Sequence, residues 1–247
     1  MLRVNAELIL ANQYRLGKGA PFYDVENFYG SNEIIRIPAD PALSPAANAQ
    51  KYFKEYRKAK TAETMLVDLI KQGEAELSYL ESVADCISRA EGFTELAEIR
   101  AELYDAGYLK RAKNEKGKKP KPLPPLEYVS DDGFRILVGR NNLQNDMLTF
   151  KQARKDDSWF HIQKAPGSHV VVLGEGEIIP ERTARQAAVL AAYHSSARES
   201  SQVAVDYTEV RQLKKPVGAK PGKVIYHTYN TMWVTPSREE CERLKKQ

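Results

Sequence analysis

Two cysteines in 247 residues, Cys86 and Cys241, are too few and too far apart for a disulfide framework or a zinc-ligand spacing. They read as free thiols, buried or half-buried, in a reducing cytosol. No apolar run approaches the ~20 residues of a bilayer-spanning helix. The start, Met1-Leu2-Arg3-Val4-Asn5, has neither an apolar signal segment nor a small-residue cleavage site. We therefore expect a cytoplasmic chain with no membrane partner, reaching a cell surface only by a route that needs no signal peptide. Charge of one sign is also lacking, since 37 Lys and Arg face 33 Asp and Glu for a net +4. Any attraction to a polyanion must come from local clusters. With 42% hydrophobic and 28% charged residues the chain is too apolar for wholesale disorder.

The opening residues Leu2, Ala6, Ile9 and Leu16 already fall at helical spacing, with no Ser, Thr, Asp or Asn ahead of them as a cap. A chain that starts inside a longer helix has this look. The first helix is expected to end near Leu16 at Gly17-Lys-Gly19, followed by an irregular tip over about 17–45 in which Glu33 to Ile37 forms a short strand. Ser44-Pro45 then supplies a capping residue and a proline at the first helical position. Positions 52, 56, 59, 63, 66, 70, 73, 77, 80, 84 and 87 advance in steps of four and three. That spacing predicts a long helix with a heptad seam, which calls for a partner. The first helix and a helix over Thr94 to Ala106, with Leu96, Ile99 and Leu103 on one face, each cover part of it. A homodimer through the uncovered remainder is a further expectation.

Lys110 to Pro125 holds seven basic residues, one acidic residue and four prolines, so 108–126 reads as a basic linker. It is either a solvated tether or an arm that follows a phosphate backbone. Beyond it the period changes to that of short strands: Phe134 to Val138, Trp159 to Ile162, His169 to Leu173, Gln202 to Asp206, Val224 to Tyr226 and Met232 to Val234. One Ala-rich helix over Pro180 to Glu199 interrupts them. The fold class is therefore α+β: an antiparallel helical coiled-coil arm over 1–107, then a compact, mostly antiparallel sheet domain over 127–247 with one main packed helix.

Gly139 to Asp146 packs one Arg, three Asn, one Gln and one Asp into eight residues. Side-chain amides read base edges and Arg forks onto phosphate or guanine, but Asn and Asp also build turns. Both readings stand. His161 and His169 flank the Pro166-Gly167 turn of a hairpin, where two histidines can share a face. Without a third ligand nearby, structural histidines and RNA-stacking histidines are the alternatives to a metal site. Of Trp159 and Phe160, neighbours on a strand, at most one can be exposed. Lys214 to Lys223, with Arg211 before it, forms a basic loop of two prolines and two glycines that can bring backbone NH groups to phosphates. It lacks the GxxxxGK[ST] pattern of nucleoside triphosphate binding. No nucleophile with its base and orienting group, no carboxylate pair and no metal cluster assembles from the sequence. Neither catalysis nor a cofactor is expected.

Taken in order, Gly139-Arg-Asn-Asn-Leu-Gln-Asn145, Trp159-Phe-His161, Gly167-Ser-His-Val-Val171, Val205-Asp-Tyr-Thr208 and Lys214 to Gly222 closely resemble the C-terminal RNA-binding domain of the NFACT family. Asn48-Ala-Gln-Lys-Tyr-Phe53 and the heptads after it resemble that family's coiled-coil arm. The resemblance implies a factor that binds the obstructed large ribosomal subunit and its rRNA. It also implies recruitment of alanyl-tRNA to the stalled nascent chain complex for C-terminal alanine tailing, with peptide-bond chemistry left to the ribosome. The candidate RNA-binding set is Arg140, Asn141, Asn142, Gln144, Asn145, Trp159, His161, His169, Arg211, Lys214, Lys215, Lys220 and Lys223. A rival of another class, attached to the family by name, is a surface adhesin for fibronectin; the sequence offers it no signal peptide, anchor or repeats. A nucleic-acid-modifying enzyme is a third reading and requires a hidden metal or acid-base site.

Overall fold

The computed structural model describes residues 1–30, 32–110 and 122–246, so most of the expected basic linker lies outside the described residues. The chain divides into two compact units, 1–74 and 75–247. The division falls inside one continuous helix.

In the first unit, α1 (Leu2–Ala11) is followed by a hairpin of β1 (Phe22–Glu26) and β2 (Ile34–Pro38), antiparallel with Phe22 opposite Pro38 and Glu26 opposite Ile34. The helix stops five residues before the expected Leu16. Asn12 carries the reason: its Nδ2 donates to the Leu8 carbonyl at 2.8 Å, and its Oδ1 accepts from Arg15 Nε at 2.8 Å. A side chain that bonds its own backbone competes with helix propagation. β1 alternates exposed and buried residues, so Tyr23 and Val25 join Leu8, Ile9, Ile37 and Ala49 in a small core. The start of α2 (Pro45–Arg89) is fixed to that core by buried Asn48, which donates to Tyr23 Oη at 3.2 Å and accepts from the Asp40 NH at 2.8 Å.

In the second unit, the last turns of α2 meet α3 (Phe93–Asp105) through Tyr79, Val83, Cys86 and Ile99. Farther back along α2 the heptad stripe is open: Leu66, Ile70 and Leu77 are 58%, 51% and 58% exposed. Then come β3 (Leu126–Val129), β4 (Arg135–Val138), α4 (Asn142–Met147), a π-helical turn over Leu148–Gln152, β5 (Ser158–Ile162), β6 (Val170–Leu173), α5 (Glu181–Tyr193), β7 (Val203–Glu209), β8 (Asn230–Val234) and α6 (Arg238–Leu244). The six strands form one sheet in the order β3-β4-β6-β5-β7-β8, every neighbouring pair antiparallel. Val224 to Tyr226, expected as a strand, makes only a single bridge, between Ile225 and Lys214.

Both faces of the sheet are covered. α5 and α6 bury Ile136, Val138, Phe160, Ile162, Val170 and Val172 on one side. On the other, Leu148, Val210 and Leu213 close over Leu137, Trp159 and Val171. Strand residues thus read as continuous apolar runs, and Trp159 and Phe160 are both fully buried although they point to opposite faces. Trp233, on the edge strand β8, is 59% exposed. Burial pushes the thiols of Cys86 and Cys241 up to about 11 and about 12, so both stay protonated at neutral pH.

Candidate nucleic-acid interface

The Asn-rich segment is a turn that enters a short helix. Asn141 caps α4, its Oδ1 accepting from the Gln144 NH at 2.9 Å, and Gln144 Oε1 in turn accepts from the Arg140 NH at 3.1 Å. Gly139 has to be glycine, because a Cβ there would sit 2.1 Å from Asn145 Oδ1. That oxygen accepts from the His169 NH at 3.0 Å and so ties the turn to the neighbouring strand.

The amide and guanidinium groups of this turn meet carboxylates of α3, not solvent. Asn141 Nδ2 donates to Glu98 Oε2 at 2.7 Å, and Gln144 Nε2 donates to the same oxygen at 3.2 Å. Asn142 Nδ2 donates to Ser82 Oγ at 2.9 Å and Glu102 Oε1 at 3.2 Å. Arg140 pairs with Glu95 and donates through Nε to the Pro124 carbonyl at 2.9 Å. Asn141, Asn142 and Asn145 are all buried. Burial raises the Glu102 carboxyl, and hydrogen bonds from Tyr79 and Asn142 pull it part of the way back. Among the described residues no buried apolar cluster joins the α2–α3 hairpin to the sheet domain.

The basic loop folds back over the same place. Lys215 pairs with Asp146, whose Oδ1 also accepts from the Gly222 NH at 3.0 Å. Lys220 Nζ stands 5.4 Å from the Tyr79 ring centroid and 5.1 Å from that of Tyr108. Gly222 has φ +81° and lies against Asn142, leaving no room for a side chain. Lys214 and Lys223 remain exposed without an ion pair among the described residues, and exposed Arg211 pairs with Glu209 on its own strand end.

Trp159 stacks on His161 at 5.7 Å and meets the edge of His169 at 5.2 Å. His169 Nδ1 bonds Thr149 Oγ1 at 2.7 Å, and burial holds its imidazole down to about 3, with His161 beside it adding to the shift. Burial also lowers His161. Trp159 belongs to the sheet's second core and His169 is buried beside it, while His161 is half-buried. Among the described residues no group of three or more His, Cys, Asp or Glu is placed to hold a metal ion.

Sequence reasoning missed two sets of residues. The α3 carboxylates were passed over because nothing local links Glu95, Glu98 and Glu102 to an amide cluster 40 residues on. Lys151, Arg154 and Lys155 were also missed. They are exposed, and the Arg211 NH donates to the Lys155 carbonyl at 3.0 Å, which sets Lys155 beside Arg211. The short run Lys151-Gln-Ala-Arg-Lys155 was the available signal. Lys214 and Lys223 are further exposed cations of the same unit.

Comparison with known proteins agrees with this architecture. Residues 1–122 match the model for NFACT N-terminal and middle domains, and residues 125–228 match that for the NFACT protein RNA binding domain. Two curated relatives are named Rqc2 homolog RqcH. The one from Streptococcus pneumoniae serotype 2 is 46% identical over 90% of this chain and 40% of its own length, and the one from Bacillus subtilis is 43% identical over 97% and 42%. The chain thus spans about two fifths of the curated relatives it matches. A solved structure, the C-terminal part of the fibronectin/fibrinogen-binding protein of Streptococcus suis, is 44% identical, with a TM-score of 0.77 over 83% of this chain and 81% of that one. Family matches that together span residues 1–228, and relatives above 40% identity over most of its length, make this chain a member of the NFACT family.

Proposed function

We propose that this chain is the RNA- and large-ribosomal-subunit-binding part of a cytoplasmic ribosome quality-control factor. In this reading the whole factor brings alanyl-tRNA to an obstructed large subunit so that alanines extend the stalled nascent chain. Bond formation belongs to the ribosome, and this chain contributes binding and placement. The observation that carries the reading is the set of exposed cations Lys151, Arg154, Lys155, Arg211, Lys214 and Lys223 on a domain matched as RNA-binding. Exposed cations release counterions from a phosphate backbone, and such binding falls steeply with salt. Arg140, Asn141, Asn142 and Gln144 serve it from inside: they hold the α2–α3 hairpin against the sheet domain and fix the loop that presents Lys214 and Lys223.

A second reading, fibronectin binding, is favoured only by the name of the Streptococcus suis relative. Co-sedimentation with large ribosomal subunits and capture on immobilised fibronectin, at matched salt, separates the two. The expected result is ribosome binding that weakens as salt rises. Fibronectin capture with no ribosome binding at any salt would sink the proposal.

A further inference from the structure

The first ten residues after Asn48-Ala-Gln50 on α2 hold five cations, Lys51, Lys54, Arg57, Lys58 and Lys60, against one carboxylate, Glu55. All five are exposed. At about 100° per residue, Lys51, Lys54, Arg57 and Lys58 fall within a sector of roughly 120° on the side away from Tyr52 and Tyr56, while Lys60 projects on the side of Tyr56 and Glu55 borders the sector beside Lys51. Lys51 makes one loose contact, 3.7 Å to Asp40. Among the described residues the other four make no ion pair.

A face whose only task is solvation has no reason to look like this. Helix neighbours three and four apart repel when they carry like charge, and 51–54, 54–57, 54–58 and 57–60 are four such pairs, against two attractive spacings, 51–55 and 55–58. Elsewhere the same spacings are used attractively, as in Arg89–Asp85 and Arg238–Glu242. The rest of α2, 61–89, inverts the balance with six carboxylates against Lys71 and Arg89. Cations toward the helix start and anions toward its end oppose the macrodipole, although most lie beyond the terminal turns where that field is strong. Repulsion concentrated on one exposed face is relieved by a ligand carrying regularly spaced negative charge. Lys54 and Lys58, one turn apart and about 6 Å along the axis, present point charges without a planar fork, which suits phosphate oxygens more than base edges.

We propose that this stripe, Lys51, Lys54, Arg57 and Lys58, is a second RNA-backbone contact site, on the first compact unit and distinct from the exposed cations of the sheet domain. It binds the phosphodiester backbone without reading sequence.

The test uses the whole chain and a labelled single-stranded oligouridine, with anisotropy followed across a salt series. Three proteins are compared: the unaltered chain, Lys54→Gln/Lys58→Gln, and Lys214→Gln/Lys223→Gln. Loss of two phosphate contacts lowers the log-log salt slope by about 1.4, which between about 1 M and about 50 mM salt is a loss of roughly 65-fold in affinity. Thermal stability of the Lys54→Gln/Lys58→Gln protein should be unchanged or higher, since a repulsive pair is gone, so a misfolded variant is recognised at once. An unchanged slope in that protein, with binding lost in the Lys214→Gln/Lys223→Gln protein, overturns the stripe and leaves the sheet domain's cations standing. The converse pattern supports the stripe and removes Lys214 and Lys223. No binding by the unaltered chain overturns both. Displacement of the RNA by polyglutamate at equal charge concentration would reassign the stripe to an acidic protein partner and also overturn the proposal.

Discussion

Replacing Asn142 by Ala should destabilise the second unit by an amount that depends on pH. Asn142 and Glu102 are each 3% exposed, and the amide donates to the carboxylate at 3.2 Å and to Ser82 Oγ at 2.9 Å. A hydrogen bond to a charged partner contributes about 1.5–3 kcal/mol, so a loss of that order is expected once the pH is high enough to ionise Glu102 in the folded state. For a unit of this size that is roughly 4–10 °C in melting temperature. The pH dependence follows from Glu102, whose pKa burial raises. A carboxyl raised in the folded state gives stability that is fully present below its unfolded pKa of about 4.3 and is lost as pH climbs through the folded value. The Asn142 amide favours the charged carboxylate, so removing it raises the folded pKa further and steepens that loss. Below about pH 4.3 Glu102 is protonated in both states, and the penalty should shrink to that of a neutral hydrogen bond, about 0.5–1.5 kcal/mol. Urea unfolding of both proteins at pH 7 and pH 4 measures the difference. A penalty under about 0.5 kcal/mol at pH 7, or one equal at the two pH values, would refute the account of this turn as a carboxylate-bound latch.

Gly139→Ala should lower stability by about 1–3 kcal/mol, because its Cβ would displace the Asn145 oxygen that holds His169; an unchanged denaturation midpoint would mean that the turn yields freely. The open stripe of Leu66, Ile70 and Leu77 has the spacing that accepts another helix of the same spacing, and α2 of a second copy offers one. Light scattering over a concentration series should therefore find self-association, and Leu77→Glu should abolish it. A monomer at every concentration would show that the stripe is not a self-pairing seam.

Much of the fold was legible because periodicity survives in the sequence. The heptad steps gave α2, and the apolar runs at Phe134, Trp159 and His169 gave three central strands. Elements too short for a period were lost: β1, β3, α4 and α6 span four to seven residues each. The end of α1 was misjudged because the apolar spacing reaches Leu16 while a single side chain, Asn12, ends the helix. At the site, the sequence could supply amides and cations but not their partners. Asn141 facing Glu98 and Lys220 facing two tyrosines are long-range facts, set by how α3 and the loop meet the sheet domain. The composition of the turn therefore fitted base reading and turn building equally well.

The tight cover over β5 also makes the molecule its own pair of optical reporters. Trp159 is fully enclosed, its indole Nε1 unpartnered and its ring stacked on His161, while Trp233 on the edge strand stands largely in water. A soluble quencher such as iodide reaches the second indole and not the first. Trp233→Phe leaves a fluorophore that reports only unfolding, and Trp159→Phe leaves one that reports only what approaches the outer strand.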